Sequence, residues 1–323
     1  MNVEMIGVVV IGRNEGERLK RCLASIAGQA DCVVYVDSGS TDGSVSMARD
    51  NGVDVVELDM SIPFTAARAR NEGFRFLRSD IRYVQFVDGD CEVVTGWFEQ
   101  AAVFLQSHPD VGVVCGRRRE RFAERSIYNL LCDIEWDTPI GEANACGGDS
   151  LMRADAFAAA GGFRDDLIAG EEPELCVRLR AAGWKIWRLD KEMTLHDAAM
   201  TRFGQWWKRT MRGGHAYAEG AFLHGGSPER RGIRESRRIW FWAAALPVLI
   251  AVAILLAGPW GSVLLAVYPA QVVRLALRGK RTFYENLSWA FFNVLGKFPE
   301  LIGQMRFHAR RLVGGQIRLI EYK

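Results

Sequence analysis

The 323-residue chain sets 41 Lys and Arg against 39 Asp and Glu, for a formal net charge of +2. Its near-average apolar and charged fractions exclude a disordered or collagen-like chain, and so small a charge, with arginines in local clusters, gives no support for nucleic-acid binding. The average hides a division: up to about residue 235 charged and apolar residues mix as in a soluble domain, whereas Ile239 to Leu277 is nearly free of charge and reads as membrane. Seven cysteines (Cys22, Cys32, Cys91, Cys115, Cys132, Cys146, Cys176) show no CxxC pair and no Cys/His ligand spacing, so they are expected to be reduced core residues in a cytosolic compartment. The start, Met1 to Met5, is acidic and lacks the basic opening and apolar core of a signal peptide, so the first part of the chain is expected to lie in the cytoplasm.

Ile6 to Ile11 is a short β-branched apolar run, the pattern of a strand covered on both faces. Gly12-Arg13-Asn14-Glu15-Gly16 follows, then Leu19, Cys22, Leu23 and Ile26 at helical spacing. A second strand, Cys32 to Val36, ends in Asp37-Ser38-Gly39-Ser40-Thr41-Asp42-Gly43, small polar residues suited to leaving a strand and capping a helix. A third strand, Val53 to Leu58, precedes a helix from about Thr65 to Arg78. The fourth, Tyr83 to Val87, climbs to Asp88-Gly89-Asp90, which reads either as an Asp-Gly turn or as hard oxygen ligands for Mg²⁺ or Mn²⁺. Strands alternating with helices predict an α/β fold with a mostly parallel sheet, whose ligands gather at the carboxyl ends of the strands. The polar clusters Arg13 to Glu15, Asp37 to Asp42 and Asp88 to Asp90 all fall at such ends, and none has the spacing of a Walker loop or of GxGxxG.

A helix is expected from about Thr95 to Gln106 and a strand over Val111 to Cys115. Arg117, Arg118, Arg119, Arg121 and Arg125 read as a solvated helix start or as anion-binding groups. Asn144 to Ser150 is a glycine-containing turn into a helix near Asp155 to Ala160. In Gly170-Glu171-Glu172-Pro173-Glu174-Leu175, proline at the first helical position would put Glu172 at or near the N-cap, pointing off the helix end. A late strand, Trp184 to Leu189, precedes His196-Asp197 and a helix with Gln205-Trp206-Trp207-Lys208-Arg209.

In this order the motifs resemble a family 2 glycosyltransferase of GT-A fold, over residues 5 to about 215. The resemblance implies that Ile11 to Glu15, including Arg13 and Glu15, together with Asp37 and Ser38, hold the nucleotide base, and that Arg70 of Ala69-Arg70-Asn71-Glu72-Gly73 lies by the nucleotide. It makes Asp88-Gly89-Asp90 the Asp-x-Asp signature for metal and donor diphosphate, with His196 in the place of a late histidine that reaches the metal. Gly148 and Asp149 match the acceptor-side loop, and Glu171-Glu172 stands where the family has Glu-Asp, whose second residue is the catalytic base. Glu172 therefore takes that role, with Glu171 and Asp166 as the alternatives. Trp206 lies in a segment loosely similar to the Gln-x-x-Arg-Trp of processive members, on the acceptor side.

Arg230, Arg231, Arg234, Arg237 and Arg238 precede an apolar run to Gly258, a second apolar stretch covers Ser262 to Leu277, and basic residues close it. The flanks predict a transmembrane hairpin with both ends cytoplasmic. Phe283, Leu287, Ala290, Phe291, Val294, Leu295 and Phe298 recur at helical spacing as an amphipathic surface helix, followed by a basic tail from Arg306 to Lys323. The expected domains are 1–235 (GT-A transferase), 236–281 (hairpin) and 282–323 (surface helix and tail). The expected activity is inverting, Mn²⁺- or Mg²⁺-dependent transfer from a nucleoside-diphosphate sugar, UDP-sugar favoured, to a glycan or lipid-linked acceptor at a multi-pass cell-membrane protein. A polyprenyl-phosphate sugar synthase and a non-catalytic nucleotide-sugar-binding scaffold are the alternatives.

Overall fold

The computed structural model describes residues 5–313. They sort into two units, one running to Phe122 and resuming over Glu135–Ala198, the other made of Ala123–Ile134 and the chain from Ala199 onward.

The first unit is built on a mixed sheet. Its strands are β1 (Ile6–Gly12), β2 (Cys32–Asp37), β3 (Asp54–Glu57), β4 (Tyr83–Asp88), β5 (Cys91–Val93), β6 (Val111–Glu120), β7 (Gly141–Glu142), β8 (Ser150–Arg153) and β9 (Lys185–His196). They lie in the order β3-β2-β1-β4-β8-β6-β9-β5, with β7 paired to β9. The parallel half, β1 to β4, comes from the four apolar runs, and Val8, Val9, Val10, Val34, Val36, Val84 and Phe86 are fully buried there. Helices α1 (Glu17–Ile26), α2 (Ser44–Asp50), α3 (Ala66–Phe76) and α4 (Trp97–Ser107) connect these strands and lead to β6. Of these, α1 buries Leu19, Cys22, Leu23 and Ile26, and α4 buries Trp97, Phe98, Ala101, Ala102 and Leu105. Thr65 caps α3 by accepting from Arg68 N at 3.0 Å.

Four features depart from the sequence reading. Arg117, Arg118 and Arg119 begin no helix; β6 continues through them to Glu120 because β9 pairs along its whole length. The turn before the helix α6 (Ala154–Ala159) contains β8, antiparallel to both β4 and β6. Helix α7 (Glu171–Ala181) starts with Gly170 as N-cap, so Pro173 sits in the third position and Glu172 is buried inside the first turn. His196 ends β9 instead of following it.

The second unit holds most of α5 (Ile127–Trp136), then α8 (Phe203–His224), α9 (Ile233–Trp240), α10 (Leu246–Ala257), α11 (Val267–Ala276), α12 (Phe283–Leu295) and α13 (Lys297–Val313). Ser126 Oγ donates to Met200 O at 2.5 Å and Asn129 Oδ1 accepts from Met200 N at 2.9 Å, which binds the early segment to the late one. α8 and α13 touch backbone to backbone: a Cβ at Gly214 would stand 2.0 Å from Glu300 O, and one at Gly303 2.0 Å from Met211 O. Among the described residues one helical segment, Ile233–Ala276, is long and apolar enough to cross a membrane. The sequence reading expects a hairpin of two spans. The chain does turn back at Gly258, continuing as a 3₁₀ helix over Gly258–Ala266 with Tyr268 Oη donating to Trp242 O at 2.8 Å across the fold-back, but this single segment gives the multi-pass expectation no support. α12 opens with a capping box between Thr282 and Glu285 and leaves Phe283 and Phe291 exposed. Of the expected basic tail, Arg306 to Val313 lies in α13, and 314–323 fall outside the described residues.

Candidate active site

The parallel register sets Asp37 opposite Gly12 and Asp88 opposite Ile11, so three strand ends open on one edge. Asp37 is buried, and its carboxylate accepts from Tyr35 Oη at 2.8 Å, Gly39 N at 2.9 Å and Ser40 N at 2.8 Å. It thereby shapes the loop after β2, while burial and this carboxylate together push the Tyr35 hydroxyl pKa upward. Asn14 joins that loop to the one after β1, accepting from Thr41 N at 2.7 Å and donating its own N–H to Ser40 Oγ at 2.8 Å. Arg13 is exposed on this edge, and Glu15 pairs with Arg18 at 2.8 Å. Ser38 is wholly buried, and its Oγ has no hydrogen-bond partner among the described residues.

Asp88, Gly89 and Asp90 turn the chain from β4 into β5, and β5 pairs Cys91 with His196 at the end of β9. That pairing brings His196 Nε2 to 3.3 Å from the buried Asp90 Oδ1, with Glu120 Oε2 3.7 Å from the other ring nitrogen. Donor atoms of Asp88, Asp90, Cys91 and His196 lie within 4.8 Å of one another. Burial opposes ionisation of Asp88, but Arg70 and Arg118 overcome it and lower its pKa. Burial likewise opposes protonation of His196, and Asp90 and Glu120 overcome that and raise it. Burial and neighbouring carboxylates drive the Cys91 thiol well up, so it stays protonated. Two carboxylates and an imidazole are then left, a donor set that fits Mg²⁺ or Mn²⁺.

Arg70, on α3, is 3% exposed and joins this cluster to α7: Nη2 donates to Asp88 Oδ1 at 2.7 Å and Nη1 to Glu171 Oε1 at 2.8 Å. Burial works against its charge, and these two carboxylates restore it. Gly148 passes so close that a Cβ there would stand 2.8 Å from Arg70 Nη2. Asp149, its neighbour, is fully buried beneath the Asp88 turn: it accepts from Asp88 N at 3.2 Å and Thr194 Oγ1 at 2.9 Å and pairs with Arg118 at 2.9 Å. Glu172 is turned inward. Its Oε1 accepts from Cys146 N at 2.6 Å and lies 3.1 and 2.9 Å from the thiols of Cys146 and Cys176, while Oε2 makes no hydrogen bond among the described residues. Burial raises both thiol pKa values, keeping them as S–H donors.

Of the site residues named from sequence, the first unit brings together Arg70, Asp88, Gly89, Asp90, Gly148, Asp149, Glu171, Glu172 and His196 around the β4 end. Trp206 belongs to the second unit, buried against Phe292 at 4.8 Å between ring centroids. Sequence reasoning missed Arg118, which ion-pairs with Asp149 and lies over Trp136, and Glu120 behind His196. One arginine in a run of three carries no distinguishing signal. Cys176 was findable, four residues after Glu172 on the same helix face.

Residues 7–167 match the family model described as "Glycosyl transferase family 2". Over 135 residues the chain is 32% identical to a TPR repeat-containing protein of Synechococcus elongatus, covering 42% of this chain and 32% of that protein. Over 175 residues it is 29% identical to the succinoglycan biosynthesis protein ExoA of Rhizobium meliloti, covering 49% and 52%. It thus spans from a third to about half the length of these curated relatives. Among solved structures, the mannosyltransferase PcManGT from Pyrobaculum calidifontis, in complex with GDP-Man and Mn²⁺, superimposes with a TM-score of 0.63 at 20% identity, covering 93% of this chain and 86% of that one, which shows a shared fold. A family match across the very strands whose ends carry Asp37 and Asp88, on a sheet of that fold, makes residues 7–167 a family 2 glycosyltransferase domain with a GT-A fold.

Proposed function

We propose that the enzyme moves a sugar, with inversion, from a nucleoside-diphosphate sugar to a hydroxyl of a glycan or lipid-linked acceptor at the cytoplasmic face of the cell membrane. The observation that carries this is the link made by Arg70, which ties the Asp88–Asp90–His196 donor cluster to a helix start bearing two carboxylates. Asp88, Asp90 and His196 would hold Mn²⁺ or Mg²⁺, which when bound supplies positive charge for a departing diphosphate. The loops after β1 and β2, with Arg13, Glu15, Asp37 and the unpartnered Ser38 Oγ, suit the nucleotide, UDP being favoured. PcManGT, with its GDP-Man and Mn²⁺, supports a nucleotide sugar and a divalent ion as the pair bound here.

Glu172 is the general base in this reading. Glu171 is engaged by the guanidinium that also holds Asp88, which gives it a positioning part, whereas Glu172 accepts only from neutral donors and through one oxygen. Its other oxygen is left to take the acceptor proton as the hydroxyl attacks opposite the leaving diphosphate. The apolar segment Ile233–Ala276 supports membrane attachment, and the arginines before it support a cytoplasmic catalytic unit.

Replacing the base leaves binding intact and removes its share of the chemistry. Glu172→Gln is expected to lower the transfer rate by roughly 10²- to 10⁴-fold while calorimetry with Mn²⁺ finds the nucleotide sugar bound as in wild type. Undiminished transfer would take Glu172 out of the reaction. The donor is identified by thermal shift across a panel of nucleotide sugars, and the acceptor by mass spectrometry of the lipid extract. A panel in which no nucleotide sugar binds contradicts the whole reading.

A further inference from the structure

Cys146, Glu172 and Cys176 come together from two places in the chain. Glu172 and Cys176 lie four residues apart on α7, and Cys146 reaches them from the loop before β8. All three are buried, at 8%, 6% and 0% exposure, and one donor atom from each falls within 4.8 Å of the others.

We propose that these three residues form a second cation site, for a soft divalent ion of the zinc type, whose filling withdraws Glu172 from the reaction. That withdrawal rests on the reading of Glu172 as base; the site itself does not. The two sulfurs are 3.7 Å apart. That is far beyond a disulfide bond, about 2.05 Å, and close to the roughly 3.8 Å edge of a tetrahedron with zinc–sulfur bonds of about 2.3 Å. The carboxylate oxygen, at 2.9 and 3.1 Å from the sulfurs, is now drawn in by thiol hydrogen bonds. An ion needs that oxygen about 3.5 Å from each sulfur, a retreat of roughly half an ångström that a glutamate side chain absorbs.

Two further contacts complete a built site. The Cys146 N–H holds the same carboxylate oxygen at 2.6 Å, the kind of outer contact that orients a ligand toward its metal. Ser150 Oγ lies 3.5 Å from Cys146 Sγ, a polar neighbour for a water in the fourth position. The chemistry also separates this site from the other. Two sulfurs and one oxygen favour zinc-like ions, whereas the hard carboxylate oxygens of Asp88 and Asp90 suit magnesium or manganese. One chain thus carries an oxygen-rich site that serves the donor and a sulfur-rich site that captures the carboxylate on the acceptor side.

The test uses the full chain in detergent, stripped of metal and titrated with Co²⁺. One equivalent is expected to give sulfur-to-cobalt charge-transfer absorption with tetrahedral ligand-field bands, reversed by Zn²⁺. These bands are expected to persist in Asp90→Ala and to vanish in the Cys146→Ser/Cys176→Ser double variant. Cys176→Ala, checked by circular dichroism for an intact fold, is expected to bind Co²⁺ about tenfold or more weakly. Absence of the sulfur band in wild type, or its survival in the double variant, overturns the site. In the transfer assay, Zn²⁺ added over saturating Mn²⁺ is expected to cut the rate about tenfold or more, reversibly with chelator. A sulfur band with transfer unaffected by Zn²⁺ overturns the capture of Glu172. A sulfur band in a protein that transfers no sugar leaves the site standing and removes the proposed function.

Discussion

Arg70 sits where a single charge serves two carboxylates of different elements, and it is nearly inaccessible to water. A buried charge stripped of its partner costs more than the pair contributes, so the penalty falls on whichever side is left. Arg70→Met leaves Asp88 and Glu171 without their shared partner. It is expected to lower unfolding free energy by about 3 kcal/mol in denaturant titration and to abolish metal-dependent donor binding. A change under about 1 kcal/mol would mean that water replaces the guanidinium at both carboxylates. Lysine cannot substitute, because one ammonium lacks the planar fork that reaches both oxygens. The sequence showed which residue types gather at the β4 end, since Asp88 and Asp90 close one strand and Arg70 stands in a matching motif. It did not show that Glu172 turns toward Cys146, because the choice between inward and outward at a helix start depends on a loop from another part of the chain.

β5 and β8, three and four residues set among turns, carry too little alternation to be read, whereas the equally short β3 stood out through Val53, Val55 and Val56. The long apolar runs of β1, β2 and β4 were legible because burial on both faces dictates their composition. The same contrast holds for α8, whose glycines look like helix breakers in sequence and act in the fold as contact points. Gly214 and Gly303 let α8 and α13 meet at backbone distance, and that closeness seals His215 at 1% exposure, its ring edge against Phe307. Burial, with Arg310 and Arg212 nearby, pushes the His215 pKa down to about 4. Glu219 Oε2, 3.5 Å from Nδ1, is too far for a good hydrogen bond and does not reverse this. The ring is therefore neutral when folded, and the unfolded chain takes up a proton first. Its contribution is complete above about pH 6.5 and is lost as pH falls toward 4, an expected loss of about 3 kcal/mol. Melting temperature followed from pH 7 to 4 should fall accordingly, and His215→Leu should flatten that slope; a slope unchanged by the substitution would clear His215 of the effect.

At the scale of the whole chain, charge and apolar surface are sorted along the sequence. Leu255, Leu256 and Trp260, at the turn of the apolar segment, are 83%, 84% and 81% exposed, which water does not tolerate in a cluster and a hydrocarbon layer does. Leu255→Asp with Leu256→Asp is expected to weaken membrane partition by about 5 to 7 kcal/mol and to move the protein from the lipid to the aqueous fraction in vesicle flotation. Nucleotide-sugar binding should persist in the released protein. Flotation unaltered by both charges would place the attachment elsewhere. Composition marks off the apolar segment from the charged chain before it, but does not reveal that Ala123–Ile134 belongs with the chain beyond Ala199. That interleaving has a consequence for how the protein is made. A ribosome releases Ile127–Ile134 before β8, α7 and β9 exist, yet the partners of that segment, Met200 and Phe292, come later still. Domains generally fold as they emerge, first part first. Here a stretch inside the first unit's sequence waits for later chain, so early folding of that unit leaves Tyr128 without its Phe292 partner until α12 has been made.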